Sequence, residues 1–168
     1  PLQVHLGVAV SRGDRFDWVV QKATELGVAR ITPLVTERTG VKLAAERADK
    51  KLAHWQQVAT SACEQCGRNR VPVVESLRSC SDFVGNVDAQ LKLVLHHRAE
   101  QRPTGDISIQ TAALLVGPEG GLSGEEIKQA EKAGFRSLAL GPRVLRTETA
   151  PLAALAILQA HWGDMAPG

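Results

Sequence analysis

Residues 114–150 read LLVGPEGGLSGEEIKQAEKAGFRSLALGPRVLRTETA, and this stretch decides the fold that we predict for the chain. An apolar run over 112–116 ends at a Gly-Pro pair, which predicts a short strand buried on both faces. A helix should follow, because Ser123 and Glu126 have the spacing of a capping box and Gly134 is a typical C-terminal stop. The stretch therefore begins as a strand, a loop and a short capped helix.

A second strand over 136–140 ends at another Gly-Pro pair, and the chain becomes helical again beyond Glu148. Strands and helices that alternate at this spacing predict an α/β fold, with a mostly parallel sheet and helices on both faces. Ligands in open parallel sheets bind beyond the carboxyl ends of the strands. Because the loops 117–121 and 141–149 both leave such ends, we expect a binding site where they meet.

The two loops carry different chemistry. The first, GPEGG, is not typical of a phosphate site, because it lacks the lysine of a P-loop and Glu119 would repel a phosphate. Its glycines could equally serve a turn with positive φ. The second loop places charges and hydroxyls between apolar segments, and could be part of a catalytic site or a solvated loop that caps the next helix. Its polar residues are Arg143, Arg146, Thr147, Glu148 and Thr149.

The remaining sequence continues the alternation of strands and helices. Strands are predicted over 2–10, 31–35, 71–74 and 91–95, and helices over 14–26, 46–66 and 79–84. One face of the long helix should hold Leu52, Trp55, Ala59, Ala62, Cys63 and Cys66. The polar connection 99–110 is the segment that we expect to be most mobile. A terminal helix over 149–162 starts at Pro151 and is apolar nearly all round, so it must be covered on every side.

Composition limits the function classes. Lys plus Arg number 20 against 18 for Asp plus Glu, so the net charge of +2 does not by itself indicate a nucleic-acid binder. Up to Arg78, however, 12 basic residues face 8 acidic ones, and this half could contact phosphates or simply be a solvated surface. Three cysteines, no signal peptide and no membrane-spanning run predict a soluble, cytoplasmic protein.

Neither the cysteine pair nor the histidine pair predicts a metal site. Cys63 and Cys66 form a C-x-x-C inside a helical pattern, without the second pair that a tetrahedral zinc site requires. A redox role is disfavoured too, because the motif does not open a helix after a strand. His96 and His97 are adjacent at a strand end and cannot both face one side of it. We therefore expect no metal.

Several separated motifs carry a resemblance to a known family. They are GDRFDWVVQKATELGV, ITPLVTERTGVK, ACEQCGRNRVP, LLVGPEGGLSGEE and LALGPRVLRTETA, which follow one another in order over nearly the whole chain. In these motifs the chain resembles the RsmE family of SPOUT methyltransferases. The resemblance implies a reaction in which S-adenosylmethionine methylates N3 of a uridine in small-subunit (16S) ribosomal RNA.

The resemblance also implies an architecture. The terminal helix of the family is tucked through the preceding loop as a deep trefoil knot, and it packs against its counterpart in a homodimer. The apolar surface of this helix independently favours a homodimer. The family carries a PUA-like β-barrel that binds RNA ahead of this point, whereas Pro1 here is followed directly by a strand. We expect residues 1–168 to be the catalytic domain alone, with the N-terminal barrel absent.

Site residues follow from the strand ends and from the resemblance. The loops after three strands should hold the cofactor through Leu95, His96, Val116, Gly117, Pro118, Glu119, Gly120, Gly121, Leu138, Leu140, Gly141, Pro142, Val144, Leu145, Thr149 and Ala150. Candidates for catalysis are Arg146 and Arg143 as electrostatic stabilisers, with Glu119 and Glu148 for orientation or proton removal. Candidates for RNA contact are Arg12, Arg38, Arg68 and Arg70.

Two other functions remain open from sequence. The fold could carry a SPOUT enzyme that acts on another RNA position, or a non-enzymatic interaction module that has lost the site. Retention of the polar segments GPEGG and RVLRTET favours the enzyme, because a pure scaffold need not keep them.

Overall fold

The computed structural model describes residues 1–39, 45–96 and 108–165. Its strands are β1 (Gln3–Ala9), β2 (Arg30–Val35), β3 (Val73–Val74), β4 (Arg78–Ser79), β5 (Leu91–Leu95), β6 (Thr111–Val116) and β7 (Arg136–Leu138). Its helices are α1 (Arg15–Glu25), α2 (Ala45–Cys66), α3 (Cys80–Asn86), α4 (Gly124–Lys132) and α5 (Ala150–Trp162). His97 and most of the predicted polar connection 99–110 lie outside the described residues.

The strands form one parallel sheet in the order β3-β2-β1-β6-β5-β7, and β4 also pairs with β2. Each described pairing is parallel, including those of β6 with β1 and with β5. The register places Leu93 of β5 opposite both Leu114 of β6 and Arg136 of β7. Neighbouring strands therefore end at the same edge of the sheet, as the sequence predicted.

Helices cover both faces of the sheet, because alternate residues of each central strand point to opposite sides. In β6, Leu114 belongs to the core that contains side chains of α1, α2 and α5. Its neighbour Leu115 belongs to the second core, with side chains of α3 and α4. The predicted α/β class, with a parallel sheet and helices on both faces, is confirmed.

Local signals set most helix ends. Ser123 accepts the backbone N–H of Glu126, whose carboxylate accepts the N–H of Ser123 in return, so the predicted capping box is present. Gly27 and Gly134 follow α1 and α4 with φ of 85° and 95°, a conformation that a glycine adopts without strain. These interactions join residues only a few positions apart, which is why sequence predicts them.

Several local predictions are wrong; among them, β3 begins at Val73 rather than at 71, and α3 ends at Asn86 rather than at 84. β7 ends at Leu138 rather than at 140, and the two-residue strand β4 was not predicted. Cys66 is exposed, whereas Trp55, Ala59, Ala62 and Cys63 on the same helix are buried. Cys66 is the last residue of α2. Helical periodicity cannot show where the partner surface stops.

The terminal helix α5 is buried on one side only. Pro151, Ala154, Leu155 and Leu158 face the core, and α5 contacts α1, β1 and β6. Its other apolar side chains, including Leu152 and Ile157, remain partly exposed within a single chain. The predicted knot around this helix stays a prediction. No helix in the described residues has the length and apolar character needed to cross a membrane.

Candidate active site

A cleft of about 490 Å³ lies at the carboxyl ends of β5, β6 and β7, which are neighbours in the sheet. The loops that leave these three ends form its walls. All residues predicted to bind the cofactor line the cleft except Leu138, Pro142 and Thr149. Leu138 is buried beneath it, and its carbonyl accepts the N–H of His96 at 3.2 Å. The convergence that the sequence suggested is therefore present in three dimensions.

The loop after β6 folds into a tight turn against the start of α4. The N–H of Gly121 donates to the carbonyl of Pro118 at 2.8 Å, and Gly121 has φ of 78°. At Gly117, an added Cβ would lie 2.8 Å from Cγ of Leu122 and 3.0 Å from its backbone N. Glycine is needed at both positions, for a left-handed backbone at Gly121 and for close packing at Gly117.

The loop between β7 and α5 closes the opposite wall. Arg143, Val144, Leu145 and Thr147 line the cleft, and Val144 is 80% exposed. Arg146 does not line it; instead its carbonyl accepts the N–H groups of residues 149 and 150, each at 3.0 Å, and so starts α5. The segment combines a cleft wall with a helix start, although Thr149 makes no side-chain cap hydrogen bond, and its role in catalysis stays a prediction.

The four catalytic candidates divide into two groups. Glu119 and Arg143 line the cleft, whereas Arg146 and Glu148 do not. Glu148 is partly buried and accepts a 3.4 Å hydrogen bond from the hydroxyl of Thr147. Glu119 forms an ion pair with Arg15, a residue that sequence reasoning missed. The available signal was the position of Arg15 at the start of α1, after the connection that leaves β1 at the same edge as the cleft.

The arginines predicted to contact RNA lie at two places. Arg38 lines the cleft, and its Nη1 donates to the carbonyl of Gly120 at 2.9 Å. Arg12 follows β1 at the same edge of the sheet. Arg68 instead donates to the carbonyl of Thr24 at 2.8 Å. Arg68 and Arg70 follow the C-terminal end of α2, so they lie near the opposite edge of the sheet. The structure does not bring the four together.

Buried polar groups tie the cleft to its surroundings. The carboxylate of Glu126, 5% exposed, accepts the N–H of Ser123 at 2.9 Å and that of Glu37 at 3.2 Å. Burial raises the pKa of the neighbouring Cys80 thiol to about 12, and the charge and hydrogen bond of Glu126 add to the shift. Cys80 therefore stays protonated near neutral pH.

In the part of the chain that the structure describes, no three His, Cys, Asp or Glu side chains could hold a metal ion.

The chain belongs to the RNA methyltransferase family, because the model of the RNA methyltransferase domain matches residues 1–159. Within it, the chain is similar to ribosomal RNA small subunit methyltransferase E of Buchnera aphidicola, with 37% identity over 98% of this chain and 68% of the relative. The corresponding protein of Bacillus subtilis is 36% identical over 94% of this chain and 66% of the relative. The resemblance noted from sequence is confirmed.

Two similar solved structures contain S-adenosylmethionine. One is ribosomal RNA small subunit methyltransferase E from Neisseria gonorrhoeae, with TM-score 0.91, 43% identity and coverage of 99% of this chain and 69% of that one. The other is a methyltransferase from Legionella pneumophila, with TM-score 0.91, 48% identity and coverage of 95% and 66%. The chain thus spans about two thirds of the length of these relatives.

Proposed function

We propose that this chain is the catalytic domain of an S-adenosylmethionine-dependent methyltransferase that methylates N3 of a uridine in small-subunit (16S) ribosomal RNA. The observation that carries the proposal is the cleft at the ends of β5, β6 and β7, in a chain whose similar structures contain this cofactor. The chain covers about two thirds of the length of those relatives. A cytoplasmic location follows from a ribosomal substrate.

The cleft suits a nucleoside cofactor. Its volume of about 490 Å³ falls within the range of small-molecule sites, roughly 300–1,000 Å³. Its walls combine apolar side chains such as Leu95 and Leu140 with glycine backbone at residues 117, 120 and 121. Apolar side chains can enclose a purine ring, and the glycine segments leave backbone groups open for hydrogen bonds to its edge and to the ribose. When bound, S-adenosylmethionine supplies an electrophilic methyl group.

The side chains in the cleft would act on the uracil. Uridine N3 carries a proton in neutral solution, so its methylation requires that this proton leave and that negative charge on the uracil oxygens be stabilised. Arg143 is the cleft arginine of the β7–α5 loop and is our candidate for that stabilisation, since arginine cannot act as a base. Glu119 is our candidate for orientation or proton removal, and Arg15 holds its carboxylate. Arg146 and Glu148 remain candidates from outside the cleft.

Assembly and RNA contact complete the proposal. We propose a homodimer in which the partly exposed side of α5, including Leu152 and Ile157, packs against a second copy. Arg12 and Arg38 would contact RNA phosphates at the cleft edge, with a salt-dependent contribution to affinity. Arg68 and Arg70 would extend that contact only if RNA reaches the opposite edge of the sheet.

Cofactor binding is the first test. Calorimetry should show that the parent chain binds S-adenosylmethionine and that Gly117→Val does not, because the new side chain would displace Leu122 and its backbone. The matched control is Gly85→Ala, because Gly85 lies in α3 outside the cleft and an added Cβ there meets nothing within 4 Å. A parent chain that does not bind the cofactor would refute the enzyme and favour the non-enzymatic module.

Substrate identity needs a second test. Primer extension on ribosomal RNA treated with the enzyme should stop at the modified uridine, because N3 methylation removes its Watson–Crick donor. Arg143→Ala should lower the single-turnover rate about a hundredfold with little change in cofactor affinity. A methyl group found at a different atom or nucleotide would make the chain an enzyme for another RNA position.

A further inference from the structure

The turn that follows β2 is fixed by its own hydroxyls. The N–H of Thr36 donates to Oγ1 of Thr39 at 2.9 Å, and the two hydroxyl oxygens lie 2.8 Å apart. The N–H of Thr39 donates to the carbonyl of Thr36 at 3.2 Å, and Thr36 is buried. Residues 36–39 are therefore held as one unit, called here the threonine turn, which presents Glu37 and Arg38 on adjacent positions.

Two hydrogen bonds join the threonine turn to the segment that forms the cleft wall. The N–H of Glu37 donates to Oε2 of Glu126 at 3.2 Å, and Nη1 of Arg38 donates to the carbonyl of Gly120 at 2.9 Å. An added Cβ at Gly120 would lie 3.5 Å from Cβ and Cδ of Arg38, so the stem of the arginine packs closely on the loop. The end of β2 and the loop after β6 are thus linked twice.

Glu126 divides its two carboxylate oxygens between the backbone donors of these segments, and it also interacts with the Cys80 thiol. Oε1 completes the capping box with Ser123, which is all that the cap of α4 requires. Oε2 serves the threonine turn instead. A buried carboxylate must have its oxygens satisfied by donors, and the sequence places the second donor 89 residues away. The cap of the helix is therefore also the anchor of a separate loop.

Arg38 retains donors after its bond to Gly120. A guanidinium has five N–H groups, and one structural bond to a carbonyl leaves others for an anion. The side chain is exposed at the mouth of the cleft, where an RNA phosphate could approach. The Arg38 side chain thus contacts the cofactor loop and is also exposed on the surface that RNA would approach.

We propose that Glu126 is a positioning residue that holds Arg38 against the glycine loop, so that cofactor binding in the cleft and RNA phosphate binding by Arg38 strengthen each other. The inference rests on the proposed function. Cofactor that orders the loop 117–121 also fixes the side chain of Arg38, because the preformed threonine turn is linked to that segment at residues 120 and 126. The same coupling acts in reverse when RNA binds first.

The test is a double-mutant cycle on binding. Dissociation constants for a small-subunit ribosomal RNA fragment are measured by fluorescence anisotropy, with and without S-adenosylhomocysteine, which prevents turnover. In the parent, the cofactor product should tighten RNA binding by on the order of tenfold. Glu126→Gln presents an N–H₂ group to one of the two backbone donors, so one of the two hydrogen bonds is lost. The ratio of the RNA dissociation constants without and with the cofactor product should then fall close to one. Cofactor affinity itself, measured by calorimetry, should change only a few-fold.

Arg38→Ala supplies the second arm of the cycle. It should weaken RNA binding, and adding Glu126→Gln to it should cause no further loss, because Glu126 acts through Arg38. Glu125→Gln removes a charge of the same kind from the exposed neighbour and should behave as the parent. If Glu126→Gln does not fold, Thr39→Val loosens the threonine turn without altering the cap of α4 and should abolish the enhancement in the same way.

The outcomes separate this inference from the proposed function. A parent chain that binds neither cofactor nor RNA would refute the proposed function. A parent that binds both without enhancement, or a cycle in which the two substitutions weaken RNA binding additively, overturns the role of Glu126 alone. An equal loss in Glu125→Gln would also overturn it, since the effect would then be one of net charge.

Discussion

Replacing Gly121 with alanine should measure how much the shape of the cofactor loop contributes to stability and binding. Gly121 has φ of 78°, and an added Cβ would meet nothing within 4 Å. The substitution therefore introduces no clash within the free protein, and its cost there is that of holding an alanine in the left-handed region, about 1–2 kcal/mol. The turn itself is closed by the bond from Gly121 to Pro118.

That cost must be distributed between folding and cofactor binding. If the turn keeps its shape in the free protein, the free energy of unfolding falls by the full amount, which urea denaturation measures. If the turn relaxes until cofactor arrives, the cost appears as weaker binding, and about 1.4 kcal/mol corresponds to a tenfold larger dissociation constant. Calorimetry with S-adenosylmethionine measures the second part. The two losses together should reach about 1–2 kcal/mol.

Two variants control the experiment. Gly121→Asn should lose less than Gly121→Ala, because asparagine tolerates the left-handed region better. Gly85→Ala should cause no loss, since its φ is not positive, its surroundings are open and it lies outside the cleft. Losses in Gly121→Ala that total less than about 0.3 kcal/mol would show that the turn is not held in this conformation, and would refute the reasoning.

Three further predictions concern assembly, docking of α5 and pH. Sedimentation should give twice the chain mass, because the outer side of α5 is apolar, and a monomer at micromolar concentration would contradict this. Gln159→Leu should lower the free energy of unfolding in urea by about 1–3 kcal/mol, because buried Gln159 donates to the carbonyls of Leu26 and Gly27 at 3.1 and 3.4 Å; an unchanged value would be inconsistent with this role. Burial, with Arg30 and Arg78, lowers the pKa of His5 from 6.5 to about 4. As the pH falls, the unfolded chain therefore takes up the proton before the folded chain does. The free energy of unfolding should fall as the pH is lowered from 6.5 to about 4, by at most about 3 kcal/mol. His5→Gln should remove that dependence, and its persistence would exclude His5 as the cause.

Much of the fold was predictable because its signals are local. The capping box of Ser123 and Glu126 joins residues three positions apart, and β5 was predicted with its observed ends. Alternation of short apolar strands with helices was enough to predict a parallel sheet and its ligand-binding edge. The strands β4 and β7 were missed or misjudged, because a strand of two or three residues exists only where a neighbour pairs with it.

The candidate site also has a part that the sequence predicted and a part that it did not. Glycine loops after strand ends identified most of the cleft lining from sequence, because the carboxyl ends of parallel strands share an edge. Glu119, a predicted site residue, turned out to be paired with Arg15, and Arg38 to bond to Gly120 across 82 residues of sequence. These pairs arise because β6 lies beside β1, and β1 beside β2. Strand order in a sheet depends on how crossovers pack, so only the tertiary structure decides which loops meet.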